Sequence, residues 1–566
     1  MTAKYESWDK EQLVEEIKRL QSRKKYGLVW EDKPEEVAER CKNELPVLEE
    51  VVDRAIEGSD SDVTNLIIEG DNYHALSVLN YTHAGRVDVI YIDPPYNTES
   101  KDFRYNDKYI DKEDTFRHSK WLSFMHRRLK LANDLLKNDG AILISINENE
   151  LFNLKLLCDE IFKPDNYLTC FTIKVRHEDR ILKGDKDFHE VTEYLLMYRK
   201  SSRYNVVKRM QDNTSNEEYI YQIIEKNIDP EKLMMGNKEV SVFKPNEYDI
   251  VKIPSSINGL KKINIRGSIK EGNSSGRFYM AHIDELKNNY GYLYKVPNMG
   301  GDSLDCRYFQ ARVSDKKRNG NYFQGVPVAR NDIKFVPYPN YFNFEPEFNN
   351  VGYEGGIEFR NGKKPLAFLK RFLSIASVKK EALILDFFAG SGSTGHAVMQ
   401  LNKEDGGVRN FILCTNNENG IAEEVTYPRI KNVIEGYFDV EGVPANLRYF
   451  KTDFIKKTNV SDDTRRNLVK KSTEMICVKE STFKKSYDNQ KFKIYHNSSS
   501  VTGILFDLDA VDEFKEKLEK ANSPSSIYVF SLTNDVYDED FADLRVKHTL
   551  KPIPEGILEV YRKIFA

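Results

Sequence analysis

The chain has 566 residues, a formal net charge of −4 and six cysteines. That length allows about three or four domains at roughly 150 residues each, and the balance of charge excludes a polycation, so a polyanionic partner has to meet local basic surfaces. The cysteines (Cys41, Cys158, Cys170, Cys306, Cys414, Cys477) show no Cys-x-x-Cys spacing and no His-Glu-x-x-His occurs, so the expectation is a reducing cytoplasm, with no disulfide framework and no metal.

The N-terminal stretch MTAKYESWDKEQL is charged and lacks an apolar signal core. No run reaches the roughly 18 apolar residues that span a bilayer, and no membrane association is expected. Asp9 to Lys24 reads as a helix with Leu13, Ile17 and Leu20 on one stripe. Asn65–Ile68 reads as a short strand, followed by Glu69-Gly70-Asp71-Asn72 and a helix through Ala75, Leu76 and Leu79. VDVIYIDPPYNT, residues 87–98, opens as a buried strand and ends on an acid, two prolines and a tyrosine. His118–Leu136 is an amphipathic helix with Trp121, Met125, Leu129, Ala132 and Leu136 inward, and Asn138-Asp139-Gly140 turns it into a strand over Ala141–Ile146. Strand, helix, strand, helix, strand predicts a wound α/β sheet.

From about Arg199 to Val351 the apolar periods shorten and Gly, Asn, Ser and Tyr become frequent, which predicts an inserted domain of short strands and long loops. Helix–strand alternation then returns: Leu366, Leu369, Leu373 and Ala376 line one helix, Ala382–Leu385 is a strand and Phe411–Cys414 another. Beyond about Glu441 a smaller α/β segment has strands near Phe492–Tyr495 and Ile527–Leu532. The expected domains are an N-terminal helical segment over 1–60, a split catalytic domain over 61–200 and 352–440, an insert over 201–351 and a C-terminal α/β domain over 441–566.

The second informative stretch is ILDFFAGSGSTGHAV, residues 384–398. A strand ends at Leu385, Asp386 follows, and a glycine-rich turn then enters a helix. Glycine lets backbone approach a ligand, and the helix start offers unpaired N–H groups. Gly390, Gly392 and Gly395 also satisfy Gly-x-Gly-x-x-Gly, which suits a dinucleotide equally well, so a nicotinamide or flavin oxidoreductase is the alternative; a tight turn without a ligand is a third.

DFFAGSG together with DPPY resembles the amino-methyltransferases that use S-adenosylmethionine on the exocyclic amine of a DNA base. The cofactor turn of that family, Asp-x-Phe-x-Gly-x-Gly, is matched by Asp386, Phe388, Gly390 and Gly392, with Ala389, Ser391 and Thr394 in the same turn. The catalytic tetrad is matched by Asp93, Pro94, Pro95 and Tyr96. The tetrad precedes the cofactor turn with a variable insert between, as in the β-class adenine-N6 enzymes, which include the modification subunits of type III restriction–modification systems. The resemblance implies a Rossmann-like α/β methyltransferase sheet with an inserted target-recognition domain and a small C-terminal α/β domain. It also implies S-adenosylmethionine as cofactor, double-stranded DNA as partner, a homodimer, and a separate restriction or translocase subunit. An acid at the first tetrad position points to adenine, because serine is usual there in the cytosine-N4 relatives. A homologue that grips DNA without catalysis, and RNA in place of DNA as the substrate, are the further alternatives.

Weaker matches follow from the same resemblance. Asp71 resembles the acid near the cofactor adenine, or is a helix N-cap. Lys364-Pro365 matches a short motif that precedes the cofactor turn, near the methionine part or at a helix start. Where the family commonly has Glu or Gln for the ribose, this chain has Thr415-Asn416-Asn417-Glu418, a departure. Site reading is expected in the insert, from Ser268, Lys270, Asn273, Ser274, Ser275, Arg277 and Arg307 among Tyr279, Tyr292 and Phe309. A basic stretch with Arg176, His177, Arg180 and Lys183 is expected near the flipped base. Lys456, Lys457, Arg465, Arg466, Lys470 and Lys471 extend a phosphate track or are plain surface.

Overall fold

A computed structural model describes residues 8–21, 28–98, 104–106, 108–109, 114–179, 187–265, 273–286, 288–302, 304–314, 316–317, 319–352, 354–358, 363–458 and 461–565. The chain forms two compact units, residues 1–207 with 339–566, and Lys208–Tyr338. No helix among the described residues is long and apolar enough to cross a membrane.

The first unit is built on one large mixed sheet. Its main strands are β1 (Glu44–Glu50), β2 (Thr64–Glu69), β3 (Val87–Ile92), β4 (Leu136–Ile146), β5 (Tyr167–Lys174), β6 (Thr192–Arg199), β7 (Tyr341–Asn343), β8 (Leu383–Asp386), β9 (Asn410–Thr415) and β10 (Asn446–Lys456). The spatial order is β1-β10-β2-β9-β8-β3-β4-β6-β5-β7. From β10 to β4 every neighbour is parallel. Strand β6 then runs antiparallel to β4 and to β5. All six residues of β3 are buried, as a central parallel strand covered on both faces requires, and this explains its apolar run over Val89–Ile92; the one charge in the strand, Asp88, is paired with Lys137 and Lys379.

Helices α1 (Asn72–Thr82), α2 (Arg117–Leu135), α3 (Leu151–Phe162), α4 (Leu366–Ala376) and α5 (Ser393–Asp405) connect or flank these strands. The inward residues expected for α2 and α4 are buried, apart from Leu366, which is only partly so. Leu136 starts β4 instead of ending α2, and the expected Asn138-Asp139-Gly140 turn is absorbed into the strand. Val87 pairs with Leu136 and Val89 with Ala141, so the extra residues bulge out. Gly140 lets this happen, because a Cβ there would lie 2.9 Å from the Asp88 carbonyl.

The domain limits differ from those read in the sequence. The N-terminal 60 residues are not only helical, since β1 pairs with β10 at the sheet edge. The second unit is shorter at both ends than 201–351: Tyr204 Oη donates to the Ala376 carbonyl at 2.9 Å, and β7 joins the main sheet beside β5. Strand β10 likewise belongs to the main sheet, so the C-terminal layer begins later than residue 441. That layer is a five-stranded sheet between Lys484 and Ile553 with its own core around Phe492, Phe514, Ile527 and Phe541. The last helix, Glu555–Phe565, returns to the main core, where Tyr561 Oη donates to the Pro46 carbonyl at 2.5 Å.

The second unit holds a six-stranded antiparallel sheet and the helix Ser274–His282. Among its described residues, one core contains Val240, Tyr279, Tyr294, Val296 and Phe309.

Candidate active site

Strands β3 and β8 are parallel neighbours, with Val89 opposite Ile384 and Ile90 opposite Leu385. The Asp93 corner leaves the C-terminal end of β3, and the glycine turn leaves the same end of β8. In a wound sheet ligands bind outside the carboxyl ends of the strands, so the two motifs flank one site.

The corner is stiff for a chemical reason. Pro94 and Pro95 fix φ and contribute no N–H, and Trp121 Nε1 of α2 donates to the Pro95 carbonyl at 2.8 Å. Beyond Tyr96 the chain turns through Asn97 at φ 55°, whose side chain donates to the buried Glu150 at 2.5 Å. His118 Nδ1 also meets Glu150, at 2.6 Å.

Asp93 and Tyr96 remain partly open to solvent. The Tyr96 hydroxyl donates to Asp93 Oδ1 at 2.8 Å and lies 3.1 Å from Glu193 Oε2 at the start of β6. Lys364 Nζ donates to Tyr96 Oη at 2.7 Å and to Glu193 Oε2 at 2.9 Å, and stands 3.2 Å from Asp93 Oδ1. One cation therefore sits between two carboxylates. Burial raises the Asp93 carboxyl, and Lys364 only partly offsets this. Burial would also raise Glu193, but Lys364, together with Arg176 and the Tyr96 hydroxyl, holds it below the usual range. Burial acts to discharge Lys364, yet the two acids keep its ammonium charged.

Asp386 is buried at the end of β8. Its carboxylate accepts the Phe388 N–H at 2.9 Å and the Thr394 hydroxyl at 2.6 Å, so it ties the turn to α5. Burial pushes this acid up to about 7. Gly390 and Gly392 have φ of +48° and +75°, where a side chain is strained. A Cβ on Gly390 would meet nothing closer than the Phe388 carbonyl at 3.9 Å, so the turn faces open space. Gly395 serves packing, because its Cβ would lie 2.9 Å from Ile430. Thr426 and Arg429 brace the turn from behind: Thr426 Oγ1 donates to the Gly390 carbonyl at 2.5 Å and Arg429 to the Ser393 hydroxyl at 2.6 Å.

The bare backbone of Gly390 and the α5 N-terminus, which has no side-chain cap, fit a ligand carrying carboxylate and hydroxyl groups. Such a ligand would lie against Phe388, Ala389, Gly390, Ser391 and Gly392.

These observations bear on identity. The profile of the N6/N4 DNA methylase family matches residues 87–425, more than half of the chain. The chain belongs to the DNA methylase family. Its methyl donor is therefore S-adenosylmethionine rather than the dinucleotide that the glycine spacing alone would permit. Among similar proteins, the StyLTI Mod subunit of a type III restriction–modification enzyme from Salmonella typhimurium is 33% identical over 411 residues, covering 65% of this chain and 55% of that protein. The HindVI Mod subunit from Haemophilus influenzae, a probable type III enzyme, is 31% identical over 414 residues, 66% of this chain and 51% of that one. The EcoPI Mod subunit from Escherichia phage P1 is 29% identical over 401 residues, 62% and 58% respectively. The methylase thus spans a little over half the length of the curated relatives it matches.

Other residues named from the sequence fall in varied places. Lys364 stands with the tetrad through the bonds above, and Pro365 is the N-cap residue of α4. Asp71 caps α1 by accepting the Tyr73 N–H at 2.7 Å, and also pairs with the buried Arg128 at 3.1 Å. Glu418 pairs with Arg104 at 3.0 Å, while Asn417 Oδ1 accepts the N–H groups of Ala422 and Glu423. Arg176 is exposed and its guanidinium is 3.8 Å from Glu193; Arg180 and Lys183 lie outside the described residues, as do Ser268 and Lys270.

Inside the second unit several expected DNA contacts are structural. Arg307 is buried, bonded to Asp302 at 2.8 Å, because a guanidinium in a core needs a carboxylate. Ser275, Tyr279 and Phe309 are buried too. Asn273 caps the helix through the Gly276 N–H at 2.7 Å. Arg277 is exposed. The expected C-terminal basic track is also partly consumed: Lys457 donates to the carbonyls of Cys41 and Lys42, Arg465 pairs with Glu555, and Lys471 pairs with Asp453. Glu193, Trp121 and Glu150 were not read as site residues. The one signal for Glu193 was an acid opening an otherwise apolar strand.

Proposed function

We propose that this chain is a site-specific DNA methyltransferase acting on adenine N6 of a base flipped out of duplex DNA, as the modification component of a restriction–modification system. The observation that carries this reading is the parallel pairing of β3 and β8, with the Asp93 corner and the glycine turn at one end. Bound S-adenosylmethionine supplies an electrophilic methyl group on its sulfonium.

The residues of the chain supply the rest. An adenine amine is a poor nucleophile because its lone pair is delocalised into the ring. Asp93 accepts one N6–H hydrogen bond and the Pro94 carbonyl accepts the other, which pulls the nitrogen toward tetrahedral geometry and localises the lone pair. Flipping costs a few kcal/mol, and stacking on Tyr96 returns about 1–3 kcal/mol. The ring of Tyr96 is held by its hydroxyl bonds, so little ordering is needed when the base arrives. An acid at position 93 favours adenine over cytosine.

The named relatives support a place in a type III system, with a separate restriction subunit as partner. These 566 residues contain no Gly-x-x-x-x-Gly-Lys-Ser/Thr phosphate loop, so they supply no translocase motor of that type themselves. A homodimer, a cytoplasmic location and site reading by the 208–338 unit, with Arg277 among its exposed cations, complete the proposal. Single-molecule sequencing of genomic DNA from cells with and without this chain tests it. The expected result is N6-methyladenine in one sequence context only when the chain is present; cytosine marks or no marks would refute it.

A further inference from the structure

The four groups at the Asp93 corner do more than shape a pocket. Tyr96 Oη lies between two carboxylate oxygens, Asp93 Oδ1 at 2.8 Å and Glu193 Oε2 at 3.1 Å, and has one proton to give. Lys364 Nζ donates to the same oxygen at 2.7 Å, so the hydroxyl accepts from the ammonium and chooses between two acids. Asp93 receives both Tyr96 and Lys364 on Oδ1.

We infer that Glu193 is the outlet for the proton released by the substrate amine, receiving it from Asp93 through the Tyr96 hydroxyl. This rests on the methyltransferase reading above. When the amine nitrogen gains a methyl it must lose one hydrogen to become neutral. Asp93 takes that proton and becomes a carboxylic acid. It must be a carboxylate again before the next base enters. Lys364 is already protonated and has no lone pair to accept with, so of the two groups bonded to Asp93 Oδ1 the phenol is the one that can pass the proton on.

The balanced step moves the Asp93 proton to Tyr96 Oη while the Tyr96 proton moves to Glu193 Oε2. The phenol is re-formed, Asp93 is ionised, and Glu193 is a carboxylic acid that then gives its proton to solvent. No free phenolate is needed, which suits a phenol that burial lifts well above its ordinary range. Among the described residues, the charged and titratable groups facing Glu193 are Lys364 ahead of α4, Arg176 after β5, Asp93 and Tyr96 at the corner, and Tyr91 on β3. Burial works to raise Glu193, but Lys364 and Arg176 hold it low. It therefore carries the proton only in passing. Glu193 acts through Tyr96 and has no assigned contact with the base.

Single-turnover reactions on unmethylated genomic DNA with S-adenosylmethionine, in weak buffer with a pH indicator, can time methyl transfer against proton release. The wild type is expected to release one proton together with each methyl transfer. In Glu193→Gln, release should lag transfer by at least about 10²-fold, the low end of the range for a lost acid–base group. Tyr96→Phe, which removes the bridge but keeps both carboxylates, should lag in the same way and carries the test if the glutamine variant does not fold. Release that stays synchronous with transfer in either folded variant would overturn the inference. A second readout needs no cofactor. In an infrared titration of the free protein, removing the like charge of Glu193 should move Asp93 protonation to lower pH, and an unmoved band would also overturn it. A wild-type protein that transfers no methyl group would instead refute the functional reading, and the infrared titration would still decide whether the two carboxylates are coupled.

Discussion

Leu385 pairs with Ile90 across two adjacent parallel strands, and this register puts the Asp93 corner and the glycine turn at one end of the sheet although an entire second unit lies between them in the chain. The chemistry of the site depends on that adjacency, and each prediction below perturbs one part of it.

Asp93→Ala removes the acceptor for the substrate amine and leaves the glycine turn intact. Methyl transfer should fall by about 10²- to 10⁴-fold or more, while S-adenosylmethionine affinity measured by calorimetry stays within a few-fold. Unchanged turnover would refute the role of Asp93.

Gly390→Ala tests the turn. The residue has φ of +48° and a new Cβ would have almost no protein neighbour. Folding should lose about 1–2 kcal/mol from left-handed strain, but cofactor affinity should fall further, because the methyl group enters the space the turn faces. Gly395→Ala should reverse that ranking, since its Cβ would crowd Ile430, Leu413 and Phe411 at 2.9 to 3.1 Å. Thermal melts and calorimetry on both variants separate the two effects.

Asp386→Asn tests pH linkage. Burial raises this acid from 3.8 to about 7, so in that window the folded protein binds more protons than the unfolded chain. Its contribution to stability therefore falls as pH rises through the window and is constant above it. Between about pH 4.5 and pH 8 the variant should gain on wild type by up to about 3 kcal/mol, read from urea melts at the two pH values. A constant difference would show that Asp386 does not titrate there.

Arg128→Met tests the support under α1. The buried guanidinium pairs with Glu35 at 2.8 Å and Asp71 at 3.1 Å. Its removal leaves Asp71 without a cation and Glu35 with only Arg127, 3.5 Å away, and should cost about 3 kcal/mol, near the low end for a broken buried pair because Asp71 is partly solvated. A denaturant midpoint shift of under about 1 kcal/mol equivalent would refute this.

Exchange of residues 208–338 for the matching segment of a relative should change the methylated sequence without changing the modified atom. Sequencing of DNA modified by the chimera checks both, and an unaltered site would remove this unit as the reader.

Much of the first unit was legible because its elements have strong periods. The apolar, β-branched run of β3 up to Asp93, broken only at Asp88, the stripes of α2 and α4 and the glycine turn before α5 each follow from local pattern. Legibility failed where a side chain spends its chemistry inside the protein. Arg307 looks like a phosphate contact in the sequence, yet Asp302 holds it in the core, and composition cannot tell a paired cation from a free one. Lys457 and Arg465 in the C-terminal stretch were overread for the same reason. Edge strands were also missed: β1 and β7 are short or flank irregular segments, and their pairing partners are remote in sequence.

By itself the sequence determined the two motifs, their order and the kinds of atoms they bring, because Asp-Pro-Pro-Tyr and the glycine turn are local chemistry written in consecutive residues. Only the tertiary structure decided that Glu193 and Lys364 complete the corner, since one precedes and the other follows the second unit in the chain, and they meet Tyr96 because β6 lies next to β4, one strand away from β3, and the segment before α4 reaches the same end of the sheet. A carboxylate becomes a partner by lying within about 3 Å of a donor, and closeness in space is fixed by strand order, which no stretch of sequence contains.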